Sequence, residues 1–238
     1  MHGLVLAGGE GARLAAAGVD VPKPLVDVGG RPQVVGLLET LDALGCETLT
    51  CAVRADFPAV SRALDGRRFR APFQIVSCRT PSSLHTLAQA LRGVAPGAVF
   101  CSMVDTVMRR RDWEAVWRGT MERLGAGADA VLAVTTFVDD ESPVYVARQA
   151  GGFVRSIGDE PVAPVCVTGG VYGLGEGARR AVLRAVTQGI HRMRGFLKAF
   201  VAEGGRVATI DVARIFDIDR PSDIAAANAW LAQPDVTP

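Results

Sequence analysis

The sequence predicts an α/β protein whose mainly parallel central sheet is flanked by helices. Apolar runs rich in β-forming residues alternate with segments of helical periodicity over residues 1–137, and this alternation is typical of strands joined by crossover helices. The chain has 238 residues, of which 49% are hydrophobic, so it can form one large domain with a buried core. We therefore expect the order βαβαβαβαβ in this first part, with helices on both faces of the sheet.

Each element of the first part is predicted from its own pattern. Strands are expected where short β-rich runs occur, and helices where apolar residues recur on one face. The last helix of this part carries Trp113, Val116, Trp117, Met121 and Leu124 on one stripe, which indicates core packing. The predicted strands are 2–7, 47–53, 73–77, 97–104 and 129–137, and the other predicted helices are 32–45, 57–65 and 83–92.

The second part of the chain is predicted to be richer in β-structure. Two strands over residues 143–157, joined at Gly151 and Gly152, indicate a hairpin. Pro221 at a first-turn position predicts the last helix. The remaining predicted strands are 167–174, 206–212 and 215–218, and the remaining helices are 177–188 and 193–203.

Composition argues against several classes of partner. The 26 basic and 25 acidic residues leave a net charge of +1, which gives no reason to expect nucleic-acid binding. The apolar runs are far shorter than the roughly 20 residues that cross a bilayer, and no secretory signal is recognisable. The five cysteines form no CxxC pair, and the three histidines show no metal-ligand spacing. We therefore expect a cytoplasmic protein with buried free thiols and no membrane partner, and the sequence leaves its oligomeric state open.

A glycine-rich loop follows the first predicted strand. In LAGGEGARL, the residues Gly8, Gly9 and Gly11 leave little side-chain bulk before a helix begins, so backbone N–H groups can approach a phosphate closely. Arg13 and Lys23 are suitable partners for the same phosphates. A tight turn with two solvated cations is the alternative. The loop is not a P-loop, because no Gly-Lys-Ser/Thr follows, and it lacks the G-x-G-x-x-G dinucleotide fingerprint.

These residues together resemble a known signature. LAGGEGARL followed by PKPL closely resembles the LAGG-x-G-x-R-L…PKPL pattern of the sugar-phosphate nucleotidyltransferases, which are also called NDP-sugar pyrophosphorylases. The resemblance implies that Leu6, Ala7 and the three glycines bind a nucleoside triphosphate. It also implies that Arg13 and Lys23 are catalytic and stabilise charge on the phosphates. The family usually has Pro-x-Thr after the Arg-Leu, where this chain has Ala-Ala-Ala-Gly.

The same resemblance implies an architecture. The family has a Rossmann-like (GT-A-like) fold, and this chain resembles its short single-domain form, without an additional β-helix domain. Residues 1–137 would then form the nucleotide-binding part of one domain. Residues 138–215 would form a small β-rich acceptor subdomain, and residues 216–238 would supply a metal-ligand motif and the last helix.

Two aspartates are candidate metal ligands. Asp105 lies at the carboxyl end of the fourth predicted strand, where open α/β sheets bind ligands. FDIDRPSDI resembles a second metal motif of the family, with Asp217 at the ligand position and Asp219 as a secondary candidate. The resemblance implies that Asp105 and Asp217 bind Mg²⁺, a hard cation that prefers oxygen ligands. Solvated strand ends are the alternative, and Asp223 is expected to face the dipole of the last helix.

The segment SSLHTLAQALR is the candidate nucleobase contact. It resembles a family segment that faces the base, so Ser82, Ser83 and Thr86 are expected to bind the nucleotide. The same residue types are also the ones that cap a helix N-terminus, and a capping role remains open.

The candidate acceptor strand is VTGGVYGL. It resembles the N-x-G-x-Y strand with which the family contacts its sugar, so Gly170 and Tyr172 are candidate acceptor ligands, with Thr168 in place of the asparagine. A half-buried strand residue is the alternative for Tyr172.

The chain departs from the family at its acceptor lysine. The family has Glu-Lys-Pro where this sequence has Asp159-Glu160-Pro161. Either another cation, from Arg109–Arg111, Arg192 or Arg194, binds the acceptor phosphate, or the acceptor carries its own cation and pairs with Asp159 or Glu160. Of the three consecutive arginines, Arg109 is the one we assign to the acceptor site.

The sequence thus predicts a nucleotidyltransferase that transfers a nucleoside monophosphate to a sugar 1-phosphate or a related phosphate and releases pyrophosphate. Its substrates would be a nucleoside triphosphate and a phosphorylated small molecule. Two alternatives remain. One is a neighbouring enzyme, either a cytidylyltransferase for a phosphocholine- or phosphonate-type acceptor or a molybdenum-cofactor guanylyltransferase, although PKPL in place of Asp-Lys argues against the latter. The other is a non-catalytic nucleotide-sensing module.

Overall fold

A mixed nine-stranded sheet runs through residues 1–234, the part of the chain that the structure, a computed structural model, describes. Its strand order is β10-β6-β9-β4-β1-β2-β3, the β7–β8 hairpin is attached beside β9, and β5 and β11 form a separate pair. The strands are β1 His2–Ala7, β2 Leu49–Arg54, β3 Phe73–Cys78, β4 Val99–Met103, β5 Thr106–Val107, β6 Ala130–Thr135, β7 Val144–Arg148, β8 Val154–Gly158, β9 Val167–Leu174, β10 Val207–Asp211 and β11 Phe216–Asp217.

The α/β prediction is confirmed, with one addition. Strands β1, β2, β3 and β4 pair in parallel, as do β6 and β10. Strand β9 lies between β4 and β6 and is antiparallel to both. Its glycines permit this insertion, because a Cβ at Gly173 would lie 2.3 Å from Thr120 Cγ2 and one at Gly169 would lie 2.5 Å from Ile215 Cγ2.

Helices cover both faces of the sheet. They are α1 Ala12–Ala16, α2 Gln33–Ala43, α3 Pro58–Leu64, α4 Ser83–Leu91, α5 Arg110–Gly125, α6 Glu176–Thr187, α7 Met193–Ala202 and α8 Pro221–Leu231. One core forms between the sheet and α4, α6 and α7, and the other between the sheet and α2, α3 and α5. None of the helices described here is long and apolar enough to span a membrane.

The apolar stripe of α5 is only partly buried. Trp113 and Trp117 pack edge-on against Phe100, with ring centroids 6.4 and 5.3 Å apart. Met121, which the stripe assigns to the core, is 46% exposed, so the prediction is wrong at that position. All five cysteines are buried and unpaired, as their spacing predicts.

Asp42 joins α2 to the segment that leads into β3. Its two carboxylate oxygens accept the backbone N–H groups of Arg70 and Ala71, at 3.1 and 2.9 Å. Burial alone raises the pKa of Asp42, but these N–H groups and the charge of Arg70 outweigh burial and hold the pKa below its ordinary value. The ionised carboxylate therefore stabilises the fold.

We predict that Asp42→Ala lowers the free energy of unfolding by about 2 kcal/mol at pH 7, because two charge-assisted hydrogen bonds are lost. A carboxyl whose pKa is depressed on folding contributes stability above its unfolded pKa of about 3.9 and loses it as the pH falls through the folded value. Urea unfolding at pH 7 and pH 3 should therefore show a smaller difference at pH 3. Asp65→Ala, at an exposed aspartate, is the control, and equal losses in the two variants would contradict the assignment.

Candidate active site

The glycine loop after β1 is shaped by what lies beneath it. A Cβ at Gly8 would lie 3.0 Å from Thr86 Oγ1, whereas no atom lies within 4 Å of one at Gly9. Gly11 begins α1 with φ +63°, and a Cβ there would lie 2.9 Å from Lys23 Cβ. Glycine at position 11 is therefore required both for the left-handed backbone and for the close approach of Lys23.

Lys23 is a buried cation surrounded by carboxylates. Its side chain is 7% exposed, and its Nζ lies 2.6 Å from Asp105 Oδ2, 2.5 Å from Asp219 Oδ1 and 3.8 Å from Asp217 Oδ1. Burial lowers the pKa of Lys23, but the three carboxylates together outweigh burial and raise the pKa above its ordinary value. The ammonium group is therefore charged throughout the physiological pH range.

The three carboxylates come together through a short strand pair. Asp105 lies two residues after the end of β4 and directly before β5. Strand β5 pairs with β11, so that Asp217 lies opposite Thr106. The N–H of Ile218 donates to the carbonyl of Asp105 at 3.1 Å. One oxygen of each of Asp105, Asp217 and Asp219 lies within 4.8 Å of the others. The secondary candidate, Asp219, is thus as close to this centre as the two primary ones.

The donor set fits a hard divalent cation. Oδ1 of Asp217 is buried and, within residues 1–234, has no hydrogen-bond partner. Burial, followed by the charge of Asp105, raises the pKa of Asp217 well above its ordinary value, although Lys23 acts in the opposite direction. Lys23 Nζ lies 3.8 Å from this oxygen, too far to donate a hydrogen bond to it, so the oxygen is available to a cation. Carboxylates are the ligands that Mg²⁺ prefers.

Arg13 lies at the entrance to this centre. Its side chain is 51% exposed, and its guanidinium lies 2.6 Å from Asp219 Oδ2 and 4.0 Å from Glu141 Oε2. Behind Asp219, Asp223 accepts the N–H groups of Asp219 and Arg220 at 3.0 and 2.7 Å. Asp223 therefore caps α8 as the sequence predicts, and in doing so it holds the segment that carries Asp219.

A cavity of about 400 Å³ opens beside the carboxylates. It lies between the carboxyl end of β4, strand β9, the loop after β6 and the N-termini of α4 and α7. Six of the residues expected at the site line it, and these are Ser82, Ser83, Asp105, Gly170, Tyr172 and Asp217.

Thr86 does not reach this cavity. It is 2% exposed, and its hydroxyl lies 2.6 Å from Thr80 Oγ1 and 3.1 Å from the carbonyl of Ser82. It supports the glycine loop from below, so its position does not fit the expected contact with the nucleotide. Ser82 takes the alternative role as well, because it is the N-cap of α4.

Arg109 and Asp159 also lie outside the cavity lining. The Arg109 guanidinium stacks on Trp230 at 4.7 Å and donates to the carbonyls of Trp230 and Pro234 at 2.8 and 3.2 Å. Asp159 pairs with Arg194 at 2.8 Å and with Lys198. Neither placement fits the expected acceptor contact, because Arg109 holds the end of α8 and Asp159 is neutralised by α7.

Four charged residues line the cavity without having been assigned to it from the sequence alone. Arg192 and Arg194, at the N-terminus of α7, line it and were among several arginines considered. Asp139 and Asp140 also line it and were not expected. A sequence feature that could have indicated Asp139 and Asp140 is their position as an acidic pair just after a predicted strand, where α/β proteins bind ligands.

A larger cavity of about 590 Å³ lies between α2 and α5. Gln33, Trp113 and Glu114 are among its lining residues, but Asp105, Asp217 and Asp219 are not. We therefore place the candidate active site at the smaller cavity, which Asp105 and Asp217 line.

Comparisons with known proteins give the family and the fold. Residues 3–165 match the family described as a MobA-like NTP transferase domain. A segment of 53 residues is 43% identical to a mannose-1-phosphate guanyltransferase of Pichia angusta and 45% identical to one of Kluyveromyces lactis. Each match covers 22% of this chain and 15% of the relative, so it extends over only a small part of those proteins.

Two solved structures share the fold over nearly the whole chain. The inositol-1-phosphate CTP transferase of T. maritima has a TM-score of 0.77 and 16% identity, covering 99% of this chain and 98% of that one. A putative glucose-1-phosphate thymidylyltransferase of Bacillus anthracis has a TM-score of 0.82 and 17% identity, covering 100% and 98%. At these identities the likeness concerns the fold.

We predict that Gly11→Ala destabilises the protein more than Gly18→Ala and also weakens binding of nucleoside triphosphate. Both glycines have positive φ, +63° and +82°, so both variants lose roughly 1–2 kcal/mol for the left-handed backbone. Only the new Cβ at position 11 collides with Lys23, because no atom lies within 4 Å of one at position 18. Thermal unfolding and calorimetric titration of the two variants measure the difference, and matching effects would disprove the role of the contact with Lys23.

Proposed function

We propose that this chain, which belongs to the family of MobA-like NTP transferase domains, transfers a nucleoside monophosphate from a nucleoside triphosphate to the phosphate of a small acceptor. The acceptor is a sugar 1-phosphate or a related compound, and pyrophosphate is released. The observation that carries this proposal is the junction of the glycine loop, the buried Lys23 and three carboxylates beside a cavity of about 400 Å³.

The reaction is mainly a problem of charge. An acceptor phosphate oxygen attacks the α-phosphorus, a new P–O bond forms, and the bond from the α-phosphorus to the bridging oxygen breaks as its electron pair leaves with pyrophosphate. Both reactants are anionic, so the enzyme has to cancel their repulsion and hold them in line. No protein base is required, because a phosphate nucleophile is already ionised near neutral pH.

The basic residues of the loop have different roles in this scheme. Lys23 is fixed in place by its carboxylates and acts as a stationary positive charge near the α-phosphate. Arg13 is half exposed and held by one short contact to Asp219, so it can turn towards the phosphates and pair with two oxygens as charge develops on them during transfer. The uncovered Gly9 leaves backbone N–H groups accessible to the phosphates.

Asp105, Asp217 and Asp219 would hold Mg²⁺. When bound, the ion supplies charge neutralisation for the phosphates. Both oxygens of Asp219 are engaged, Oδ1 by Lys23 and Oδ2 by Arg13, whereas Lys23 contacts only Oδ2 of Asp105. We therefore infer that Asp105 and Asp217 are the main ligands. The unsatisfied Oδ1 of Asp217 supports this assignment.

The acceptor would bind where α7 borders the cavity. Arg192 and Arg194 line the cavity there. Arg194 already pairs with Asp159, so Arg192 would supply the positive charge in place of the lysine that the sequence resemblance implies. Relatives and structural neighbours are described as transferases acting on mannose 1-phosphate, inositol 1-phosphate and glucose 1-phosphate, which supports a phosphorylated acceptor of similar size. Clustering of Arg13, Lys23, Asp105 and Asp217 argues against a non-catalytic sensing module.

We predict that pyrophosphate release depends on Mg²⁺ and on Asp105 and Asp217. The release is measured in a screen of five nucleoside triphosphates against a panel of phosphorylated acceptors. Asp105→Asn and Asp217→Asn should each reduce the rate by at least about 100-fold, since the lost charge acts on the transition state. Excess chelator should abolish the reaction. Full activity in chelator would refute the metal assignment, and no product with any pair of substrates would refute the proposed reaction.

Arg13→Ala and Lys23→Ala should differ in their kinetics. Arg13→Ala is expected to lower kcat by about 10- to 100-fold with little change in triphosphate affinity, because its contact forms as charge develops. Lys23→Ala should impair both quantities and also destabilise the protein, because it leaves three partly buried carboxylates without the cation that they share. Arg62→Ala, at an exposed arginine of α3, is the control. A change in affinity alone for Arg13→Ala would show that its role is wrongly assigned.

A further inference from the structure

The N-termini of α4 and α7 meet at the edge of the 400 Å³ cavity. Ser82 lines the cavity from α4, and Arg192 lines it from α7. The two helices belong to distant parts of the chain, so their junction depends on tertiary contacts. Three residues connect the two N-termini, and these are Ser82, His85 and His191. We call this group the clasp.

The clasp combines hydrogen bonds with a ring contact. The hydroxyl of Ser82, the N-cap of α4, donates to the backbone carbonyl of His191. Because a hydroxyl group has one hydrogen, Nδ1 of His85 is the donor in its 2.9 Å contact with the same oxygen. The imidazole rings of His85 and His191 also stack, with centroids 5.5 Å apart and planes inclined by 24°. The clasp therefore holds both the backbone and the side chain of His191.

The residue after the clasp is a cation that lines the cavity. Within residues 1–234, the side chain of Arg192 has no ion pair, but the chain is held on both sides of it. His191 is held by the clasp, and Arg194 pairs with Asp159 at 2.8 Å. The backbone of Arg192 is thus fixed while its guanidinium stays available. A cation on a fixed backbone loses less conformational freedom when it binds an anion.

We propose that the clasp is a positioning device for Arg192, an inference that rests on the proposed nucleotidyl transfer. Ser82, His85 and His191 hold the start of α7 against α4. Arg192 is thereby presented to the acceptor phosphate in a fixed position relative to the first part of the chain, which carries the glycine loop and Lys23. Neither histidine has to touch a substrate for this role, because both act through Arg192.

Hydrogen exchange of the full-length protein measures the clasp without any substrate. His85→Ala should speed the exchange of the backbone amides in the first turns of α7 about three- to tenfold, because the ring contact and the donor to Ser82 are lost. His85→Phe, which keeps a ring at the stack, should recover part of the protection. Arg92→Ala, at an exposed arginine at the other end of α4, is the control and should change nothing in α7.

Two exchange results would overturn the proposal. One is unchanged exchange of α7 in His85→Ala. The other is faster exchange confined to α4, since that pattern is expected when only the start of α4 is loosened.

Kinetics test whether the clasp acts through Arg192. The assay uses Mg²⁺, five nucleoside triphosphates, and glucose, mannose or inositol 1-phosphate as acceptors. With the active pair, His85→Ala should raise the acceptor KM about three- to tenfold and change kcat and the triphosphate KM less than about twofold. In an Arg192→Ala background, His85→Ala should have no further effect on the acceptor KM. Equal increases in both KM values, or full additivity with Arg192→Ala, would contradict the positioning role.

The two measurements separate this proposal from the proposed function. Pyrophosphate release by the wild type, together with an unchanged acceptor KM in His85→Ala, would support the transferase and refute the positioning role. Faster exchange of α7 in His85→Ala, without pyrophosphate release by the wild type from any pair, would confirm the clasp as a structural contact. It would also refute the transferase and the role of Arg192 towards an acceptor.

Discussion

The site depends on one buried cation, Lys23, and the carboxylates that neutralise it. At an effective dielectric constant of about 20, a pair of charges 2.6 Å apart attracts by roughly 6 kcal/mol, which is comparable with the several kcal/mol that it costs to bury an ion. Neither Lys23 nor Asp105 is therefore stable in this place alone. The contacts to Asp105 and Asp219 make the loop after β1 and the segment before α8 a single unit.

This mutual dependence explains why backbone features surround the cluster. Gly11 allows Lys23 to approach the loop, and the pairing of β5 with β11 brings Asp217 to the end of β4. Asp223 then holds the backbone of Asp219 in place. Each of these is a local constraint of modest energy, but together they fix three carboxylates from distant parts of the chain around one ammonium group.

Charged residues of both signs border the cavity. Asp105 and Asp217 line it and are contacted by Lys23, which lies outside the lining, and Arg192 and Arg194 line it from α7. Asp139 and Asp140 border both this cavity and the narrow crevice that holds Arg13, Asp217 and Asp219. Strand β9 lies between β4 and β6 and brings Gly170 and Tyr172 to the same cavity.

The sequence by itself determined the α/β class, the positions of most elements and the motif residues Gly8, Gly11, Arg13 and Lys23, because these follow from local periodicity and from short contiguous patterns. The grouping of Asp105 with Asp217 and Asp219 remained a prediction until the pairing of β5 with β11 placed them together.

Only the tertiary structure decided which charged residues face the cavity. Arg109 and Asp159 carry suitable groups but are engaged by the end of α8 and by α7, whereas Asp140 and Arg192 remain without an ion pair in the described part of the chain. The physical reason is that ion pairing depends on distances of a few ångströms between elements far apart in sequence, and local patterns do not encode those distances.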